Sequence, residues 1–228
     1  MTRTQHIKRL TMPTTWQVKR KNITFIKRPK SGKMRELSVP FVVAVRDMIG
    51  AASTAREVQF MVNERSVLVA GKPVLSQKLP VGLFEVVTFS KSKKSYRLVL
   101  NSHGGLHFVE ADGQNTVARV VGKTDVKATK KSKTQINLLN GRNVLVDKHT
   151  VKVGDSVLLD KDMQIKEEYP LKKGASVILI AGKHIGSVGV VEDIQNKTIT
   201  FKSGEEVFET RKAYAFVVGK SKPAIKLE

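Results

Sequence analysis

From residue 95 onward, the sequence alternates short β-favouring runs with turn residues. The predicted strands lie at 96–101, 105–110, 116–121, 134–139, 143–147, 151–159, 175–181, 187–194, 197–202 and 206–210. Glycines separate most of these runs, and Asn140-Gly141 is a strong signal for a hairpin turn. Many short strands at regular spacing are typical of closed antiparallel sheets, so this region predicts one or two small β-barrels.

Residues 37–94 carry a different pattern, in which helical periodicity precedes strand-like runs. Ser38 is the predicted N-cap of a first helix, which places Pro40 in its first turn. Apolar residues then repeat at helical spacing, at Phe41, Val42, Val45, Met48, Ile49 and Ala52. Thr54-x-x-Glu57 is a capping box that opens a second helix. Strands are predicted at 67–70 and 83–89, which completes a compact unit of two helices and a small sheet.

The first 36 residues lack periodicity and are strongly basic. Residues 1–40 hold 11 Lys and Arg but one acidic residue, Glu36. Apolar anchors are interleaved with the charges, at Leu10, Trp16, Ile23, Phe25 and Ile26. This mixture suits an extended arm, with one short helix at most, that threads into folded RNA. A solvated basic tail is the alternative interpretation. We expect the arm to be disordered before it meets RNA.

The net charge of +21 on 228 residues attracts polyanions without selectivity. Its distribution is uneven, because residues 160–228 hold 12 basic and 10 acidic residues and are almost neutral. We therefore expect a polarised molecule. The arm and the middle of the chain would face RNA, and the C-terminal part would face protein as much as RNA.

Several classes of protein are excluded or disfavoured. The chain has no cysteine, so disulfides, thiolate zinc sites and cysteine nucleophiles are excluded. The longest apolar run is six residues, at 213–218, which is too short to span a membrane. No apolar segment follows the basic N-terminus, so no signal peptide is expected. These features predict an intracellular protein.

Signs of catalysis are also missing from the sequence. The stubs Gly122-Lys123-Thr124 and Gly219-Lys220-Ser221 lack the earlier glycine that a phosphate-binding loop requires. The five histidines are scattered, and adjacent acidic residues such as Glu167 and Glu168 would point to opposite faces of a strand. We expect no enzyme activity, no cofactor and no metal site.

Basic side chains on three parts of the chain are the predicted RNA contacts. The predicted residues are Arg3, His6, Lys8, Arg9, Trp16, Lys19, Arg20, Lys21, Lys27, Arg28, Lys30, Lys33, Arg35, Arg46, Arg56, Arg65, Lys72, Lys130, Lys131, Lys133 and Arg142. Arg56 falls in the first turn of the second helix, where backbone N–H groups and the helix dipole favour phosphate. Ordinary exposed helix charges are the alternative interpretation. Trp16 would either stack on a base or anchor the arm by packing.

Two segments resemble known RNA-binding elements. Residues 172–194 resemble the KOW motif, a strand–loop–strand of ribosomal proteins and transcription elongation factors, with glycines at 182, 186 and 189 that can take positive φ. Residues 37–89 resemble the S4-like RNA-binding module.

The order of these two segments behind a basic arm resembles the S4e family of small-subunit ribosomal proteins from archaea and eukaryotes. The matching fragments are His6-x-Lys8-Arg9-x-x-x-Pro13-x-x-Trp16, Pro29-x-x-Gly32, Ser38-x-Pro40, Arg46-Asp47, Thr54-x-x-Glu57, Val69-x-Gly71-Lys72, Pro80-Val81-Gly82-Leu83, Asn140-Gly141-Arg142-Asn143, Val153-Gly154-Asp155, Phe208-x-Thr210-Arg211 and Phe216-Val217-Val218-Gly219-Lys220.

The chain departs from the family pattern at two places. Family members usually carry an acidic residue before Gly71, where Ala70 stands. They also tend to carry Asn and Arg in the KOW loop, where this chain has His184 and Ser187, so the resemblance implies no contacts for these two residues. The end of the chain soon after residue 220 favours an archaeal member.

The resemblance implies a multi-domain α+β fold. Its parts would be the basic N-terminal arm at 1–36, a small S4-like helix-helix-sheet module at 37–94, a central β-barrel-like domain at 95–170, and a C-terminal SH3-like KOW barrel with its tail at 171–228. The implied function is that of a structural constituent of the cytoplasmic small ribosomal subunit, which binds and orders folded rRNA through backbone and shape contacts and so supports translation. Its partners would be small-subunit rRNA and neighbouring ribosomal proteins, with no membrane and no small-molecule substrate. Two alternatives stay open: an rRNA-modifying enzyme that uses the S4-like module for targeting, and a KOW-type transcription elongation factor.

Overall fold

The structure is a computed structural model, and it describes residues 6–111, 113, 115–126, 133–146, 151–204 and 206–227. The chain divides into two compact units. Unit 1 comprises residues 1–99 and 105–114, and unit 2 comprises residues 100–104 and 115–228. Both consist mainly of sheet with few helices, as the strand pattern predicts. The finer division into four domains stays a prediction.

Among the described residues, unit 1 contains three sheets. One pairs β1 (Ile7–Lys8) with β2 (Phe25–Ile26), and a second pairs β3 (Ser38–Pro40) with β6 (Pro80–Gly82). The third has the order β5-β4-β7-β8-β9, from β4 (Val67–Val69), β5 (Lys72–Pro73), β7 (Val86–Phe89), β8 (Lys94–Leu100) and β9 (Leu106–Glu110). Val67 faces Phe89 and Val69 faces Val87 across β4 and β7, and all four side chains are buried. One face of this sheet therefore covers the core.

The first helix of unit 1 begins later and ends earlier than predicted. Helix α1 (Phe41–Val43) continues as a π-helical segment, Ala44–Ile49, and ends at Gly50, whose φ of 76° closes the last turn. Ser38 is not its N-cap, because residues 38–40 form β3 and the Ser38 hydroxyl donates to the Met34 carbonyl at 2.7 Å. Strand pairing with β6 thus overrides the local helix signal.

The second helix follows the sequence prediction closely. Helix α2 (Ala55–Asn63) begins after Thr54, whose hydroxyl accepts a hydrogen bond from the Glu57 amide at 3.2 Å. The Glu57 carboxylate accepts in return from the Ser53 amide at 2.8 Å and from the Thr54 hydroxyl. These bonds hold the pKa of Glu57 below its ordinary value, the Ser53 bond having the larger effect. The predicted capping box is confirmed.

The basic N-terminal segment is packed against the rest of unit 1 over its described residues 6–36. Trp16 is 2% exposed, and its indole Nε1 donates to the Ser38 carbonyl at 2.9 Å. The Leu106 amide donates to the Thr15 carbonyl at 2.7 Å, beside a parallel bridge between Trp16 and Leu106. Apart from the two-residue strands β1 and β2, the segment has a short 3₁₀ helix at Arg9–Thr11, which agrees with the predicted extended segment. Buried anchors such as Trp16 dock it, and its disorder before RNA binding stays a prediction.

The described part of unit 2 contains two five-stranded antiparallel sheets. The first has the order β12-β11-β10-β13-β14, from β10 (Thr116–Val126), β11 (Lys133–Leu138), β12 (Asn143–Val146), β13 (Ser156–Leu159) and β14 (Ile165–Tyr169). The second has the order β18-β17-β16-β15-β19, from β15 (Ser176–Leu179), β16 (Val188–Ile194), β17 (Thr198–Ser203), β18 (Glu206–Arg211) and β19 (Ala215–Gly219). The Asn140-Gly141 turn joins β11 to β12, with Gly141 at a φ of 73°. The sequence pattern does not predict strands β14 and β19, because charges interrupt β14 and the Ala-Tyr-Ala stretch that leads into β19 has no alternation of polar and apolar residues.

Three glycines shape the loop between β15 and β16 and the start of β16, by two different mechanisms. Gly182 and Gly186 have φ values of 95° and 83°, in the region that favours glycine. Gly189 does not have positive φ, but a Cβ there would lie 2.3 Å from the carbonyl oxygen of Lys202 on β17. Gly189 is therefore required by the close approach of two strands, and the prediction of positive φ at all three positions is wrong for this one.

Replacing Gly186 with Ala should destabilise unit 2 severely. A Cβ at this position would lie 1.9 Å from the backbone oxygen of Asn101, which is a rigid neighbour. The left-handed backbone and the overpacking together should lower the free energy of unfolding by about 2–5 kcal/mol, as measured by urea denaturation. Gly204→Ala is the matched control, because Gly204 also has positive φ but has no atom within 4 Å of its would-be Cβ. Equal effects of the two substitutions would contradict the close-contact explanation.

Candidate nucleic-acid interface

A short segment of unit 1, residues 77–79, joins the three elements that form the candidate interface. The Lys30 amide donates to the Lys78 carbonyl at 2.8 Å, and the Phe41 amide donates to the Leu79 carbonyl at 2.8 Å. The Gln77 side-chain amide donates to the carbonyl of Ala55, the first residue of α2. These bonds hold the N-terminal segment, α1 and the start of α2 around residues 77–79.

These elements enclose a groove of about 870 Å³ that we call the basic groove. Its cationic lining comes from Lys27, Arg28, Lys30, Arg46 and Lys78, with His6 at the same site. None of the described residues that line it is acidic. Arg46 is held by a bidentate ion pair with its neighbour Asp47, with a closest N–O distance of 2.8 Å. A concave surface with five positive side chains is suited to a phosphate backbone.

Sequence reasoning found four of the five cations and missed Lys78. Lys27, Arg28, Lys30 and Arg46 were predicted contacts, and the fold brings them to one groove. Lys78 stands as a single lysine between Ser76 and Pro80, so no cluster marks it. Its position depends on the backbone bond to Lys30, which no local pattern reveals.

Other predicted contacts of unit 1 lie on its surface but outside the lining of the basic groove. Exposed side chains are found at Lys8, Lys19, Lys21, Arg35, Arg56, Arg65 and Lys72. Arg56 lies in the first turn of α2, as the sequence predicts. Arg65 follows α2 with a φ of 53°, so its backbone takes the left-handed conformation of a helix C-terminus.

Four predicted contacts make contacts within unit 1 itself, and their contact with RNA stays a prediction. Arg9 and Trp16 are each 2% exposed, and the guanidinium of Arg9 donates to the Lys19 carbonyl. Arg20 donates to the carbonyl oxygens of its own segment, at 3.1 Å to that of Leu10. Lys33 forms an ion pair with Glu85, whose carboxylate is fully buried and also accepts from the Gly82 amide. These four side chains help to hold the basic segment in place.

Some predicted contacts lie outside the residues that the structure describes. They are Arg3 in unit 1 and Lys130 and Lys131 in unit 2. Lys133 is described as the first residue of β11, without its side chain. Arg142 is half-buried, with its guanidinium 3.1 Å from the sulfur of Met163. This contact links the hairpin between β11 and β12 to Met163, and the RNA contact of Arg142 stays a prediction.

One arginine of unit 2 has a structural role that the sequence did not indicate. Arg119 on β10 donates to the carbonyl oxygens of Ala213 and Lys212, which precede β19. Burial lowers the pKa of its guanidinium from the ordinary value. The bond therefore ties the two sheets of unit 2 together. In the KOW-like loop, the His184 ring lies 4.0 Å from that of Phe208, so His184 packs against β18.

Two further findings concern the described part of the chain. It contains no helix that is long and apolar enough to cross a membrane. It also contains no group of three or more His, Asp or Glu side chains placed to hold a metal ion.

Comparisons with known proteins point to one family. The model of ribosomal family S4e matches residues 92–164. The chain is 32% identical to small ribosomal subunit protein eS4 of Methanosphaera stadtmanae, over 98% of this chain and 95% of that protein. It is also 32% identical to the eS4 proteins of Methanothermobacter thermautotrophicus, over 98% and 96% of the two chains, and of Haloarcula marismortui, over 93% and 95%.

A solved structure agrees with these matches. The crystal structure of the 30S ribosomal protein S4e from Thermoplasma acidophilum superposes with a TM-score of 0.66 and 25% identity, over 81% of this chain and 95% of that one. Neither alternative is supported, since these relatives are named as ribosomal proteins and not as modifying enzymes or elongation factors. The similarity along nearly the whole chain, together with the fold, shows that this protein belongs to the ribosomal S4e family of structural, non-enzymatic proteins.

Proposed function

We propose that this protein is a structural constituent of the small ribosomal subunit in the cytoplasm. It binds and orders folded rRNA through contacts with the sugar-phosphate backbone and with RNA shape, and it contacts neighbouring ribosomal proteins. The basic groove is the observation that carries this proposal, because five cations from three chain segments line one concave surface. Such a surface tracks a phosphate backbone without reading base edges.

We further propose that different parts of the chain have different roles. Residues 37–94 act as an S4-like module that presents the groove together with the docked segment 6–36. Residues 95–170 act as a central β domain, and residues 171–228 act as a KOW barrel. The glycines of the β15–β16 loop and of the start of β16 support the last assignment, since each of Gly182, Gly186 and Gly189 meets a specific backbone requirement. The near-neutral charge of residues 160–228 suits a surface that contacts protein.

Sedimentation of a cell extract through sucrose at high salt tests the proposed function. The protein should migrate in the small-subunit peak and leave little free pool. The triple variant Lys27→Glu, Lys30→Glu, Lys78→Glu should shift most of the protein to the top of the gradient, because it reverses three of the five groove cations.

The matched control places the same charge change on unit 2. Lys161, Lys197 and Lys222 are exposed lysines there, and their replacement by Glu should leave the small-subunit peak largely unchanged. Wild-type protein found with RNA polymerase, or found free at all salt concentrations, would overturn the proposal. Equal losses for the two triple variants would show that total charge matters and that the groove does not.

A further inference from the structure

We propose that Phe25 forms a stacking site for one unpaired RNA base at the basic groove. This inference rests on the proposed function and deepens it. Backbone and shape contacts account for the cations but not for an exposed aromatic ring in their midst. Phe25 lines the groove and is 54% exposed.

The β1–β2 ladder holds the ring outward. Ile7 faces Ile26 across the ladder, and both are buried at 7% exposure. Lys8 faces Phe25 at the neighbouring position, and both are exposed. Because successive side chains of a strand point to opposite faces, the buried isoleucine pair fixes Phe25 and Lys8 on the outer face. The exposure of Phe25 is therefore set by the fold and does not reflect a loose loop.

The surroundings of the ring match the chemistry of a nucleotide. The His6 ring lies 5.7 Å from that of Phe25 at an interplanar angle of 55°, so a second ring borders the site. Lys27, Arg28 and Lys30 follow Phe25 in sequence and line the same groove. An aromatic face beside cations binds a base by stacking while the cations contact its phosphates.

The geometry favours an unpaired base over a duplex. In an A-form helix the bases are stacked on one another, so their faces are not accessible to a side chain. A bulged or looped nucleotide exposes its face, and ring stacking requires that face. The groove volume of about 870 Å³ lies in the range of pockets that enclose small ligands, so it has room for a flipped nucleotide.

The test measures binding of full-length protein to two short RNA duplexes of equal length. One is fully paired, and the other carries a single bulged 2-aminopurine whose fluorescence reports stacking. Phe25→Ala should weaken binding to the bulged RNA by about 5- to 150-fold, the range expected for loss of one base–aromatic contact. Binding to the paired RNA should change less than twofold. Phe25→Tyr should restore the affinity and the fluorescence quenching, whereas Phe25→Leu should not.

Controls separate stacking from folding and from charge. Leu10→Ala removes another exposed apolar side chain of the same segment, 64% exposed, and should leave both affinities unchanged. The salt dependence should be the same for wild type and Phe25→Ala, since no charge is removed. Equal losses of affinity for both RNAs on Phe25→Ala, or no loss for either, would overturn the stacking site. If neither affinity changes, the exposed ring of Phe25 would instead be available to a neighbouring protein. Failure of wild-type protein to bind either RNA at low salt would instead count against the proposed function.

Discussion

The affinity of the isolated protein for small-subunit rRNA is expected to fall about 10³–10⁵-fold between 50 and 200 mM salt. A protein that makes roughly six to ten phosphate contacts releases a comparable number of counterions, and added salt opposes this release. The five cations of the basic groove supply about half of these contacts, and the exposed lysines and arginines elsewhere on unit 1 can supply the rest. Filter binding across a salt series measures the slope.

Single substitutions sharpen this experiment. Lys27→Ala, Lys30→Ala and Lys78→Ala should each reduce the slope by about one unit, because each removes one phosphate contact. Lys173→Ala is the matched control, since Lys173 lies in unit 2 and pairs with Asp193 at 2.7 Å. It should leave the slope unchanged. A flat salt response of the wild-type protein would refute the electrostatic account of binding.

Replacing Trp16 with Ala should lower the free energy of unfolding of unit 1 by about 3–5 kcal/mol. The substitution removes a side chain that is 2% exposed and leaves the Ser38 carbonyl without its indole donor. It also removes a contact that docks residues 6–36. The variant should therefore be cut by proteases within this segment, whereas wild-type protein should resist. Urea denaturation followed by circular dichroism gives the stability, and mass spectrometry gives the cut sites.

The fluorescence of wild-type protein provides an independent check of the same docking. Trp16 is the sole tryptophan, so its emission and its quenching by acrylamide report its burial directly. Leu10→Ala, in the same segment but exposed, should change stability by no more than about 0.5 kcal/mol. An emission spectrum typical of a solvent-exposed tryptophan, in protein without RNA, would contradict the docking and would support a disordered arm.

Local signals predicted the parts of the fold that depend on neighbouring residues. The Thr54–Glu57 capping box and the Asn140-Gly141 turn each work within a few residues, and both form as predicted. Ser38 failed as an N-cap because its segment pairs with β6, which lies far along the chain. Secondary structure at such positions is decided by tertiary partners, and a single sequence does not name those partners.

The same distinction applies to the candidate site, where residues adjacent in sequence were predictable and those brought together by the fold were not. The run Lys27-Arg28-x-Lys30 is visible in the sequence, and these residues do line one groove. The burial of Arg9 and Trp16 could not be predicted, because charge and aromaticity alone do not determine whether a side chain is buried. Lys78 was missed because a backbone bond across the fold places it beside Lys30.

The docking of residues 6–36 also decides when the loss of conformational entropy is incurred. Fixing one residue of a flexible chain costs about 1–2 kcal/mol, and a free arm would bear this cost at the moment of RNA binding. Because the segment is docked by Trp16, Arg9 and the Lys33–Glu85 ion pair, this entropy is lost when the protein itself folds. RNA then meets a preorganised surface, so more of the energy of each groove contact is expressed as affinity.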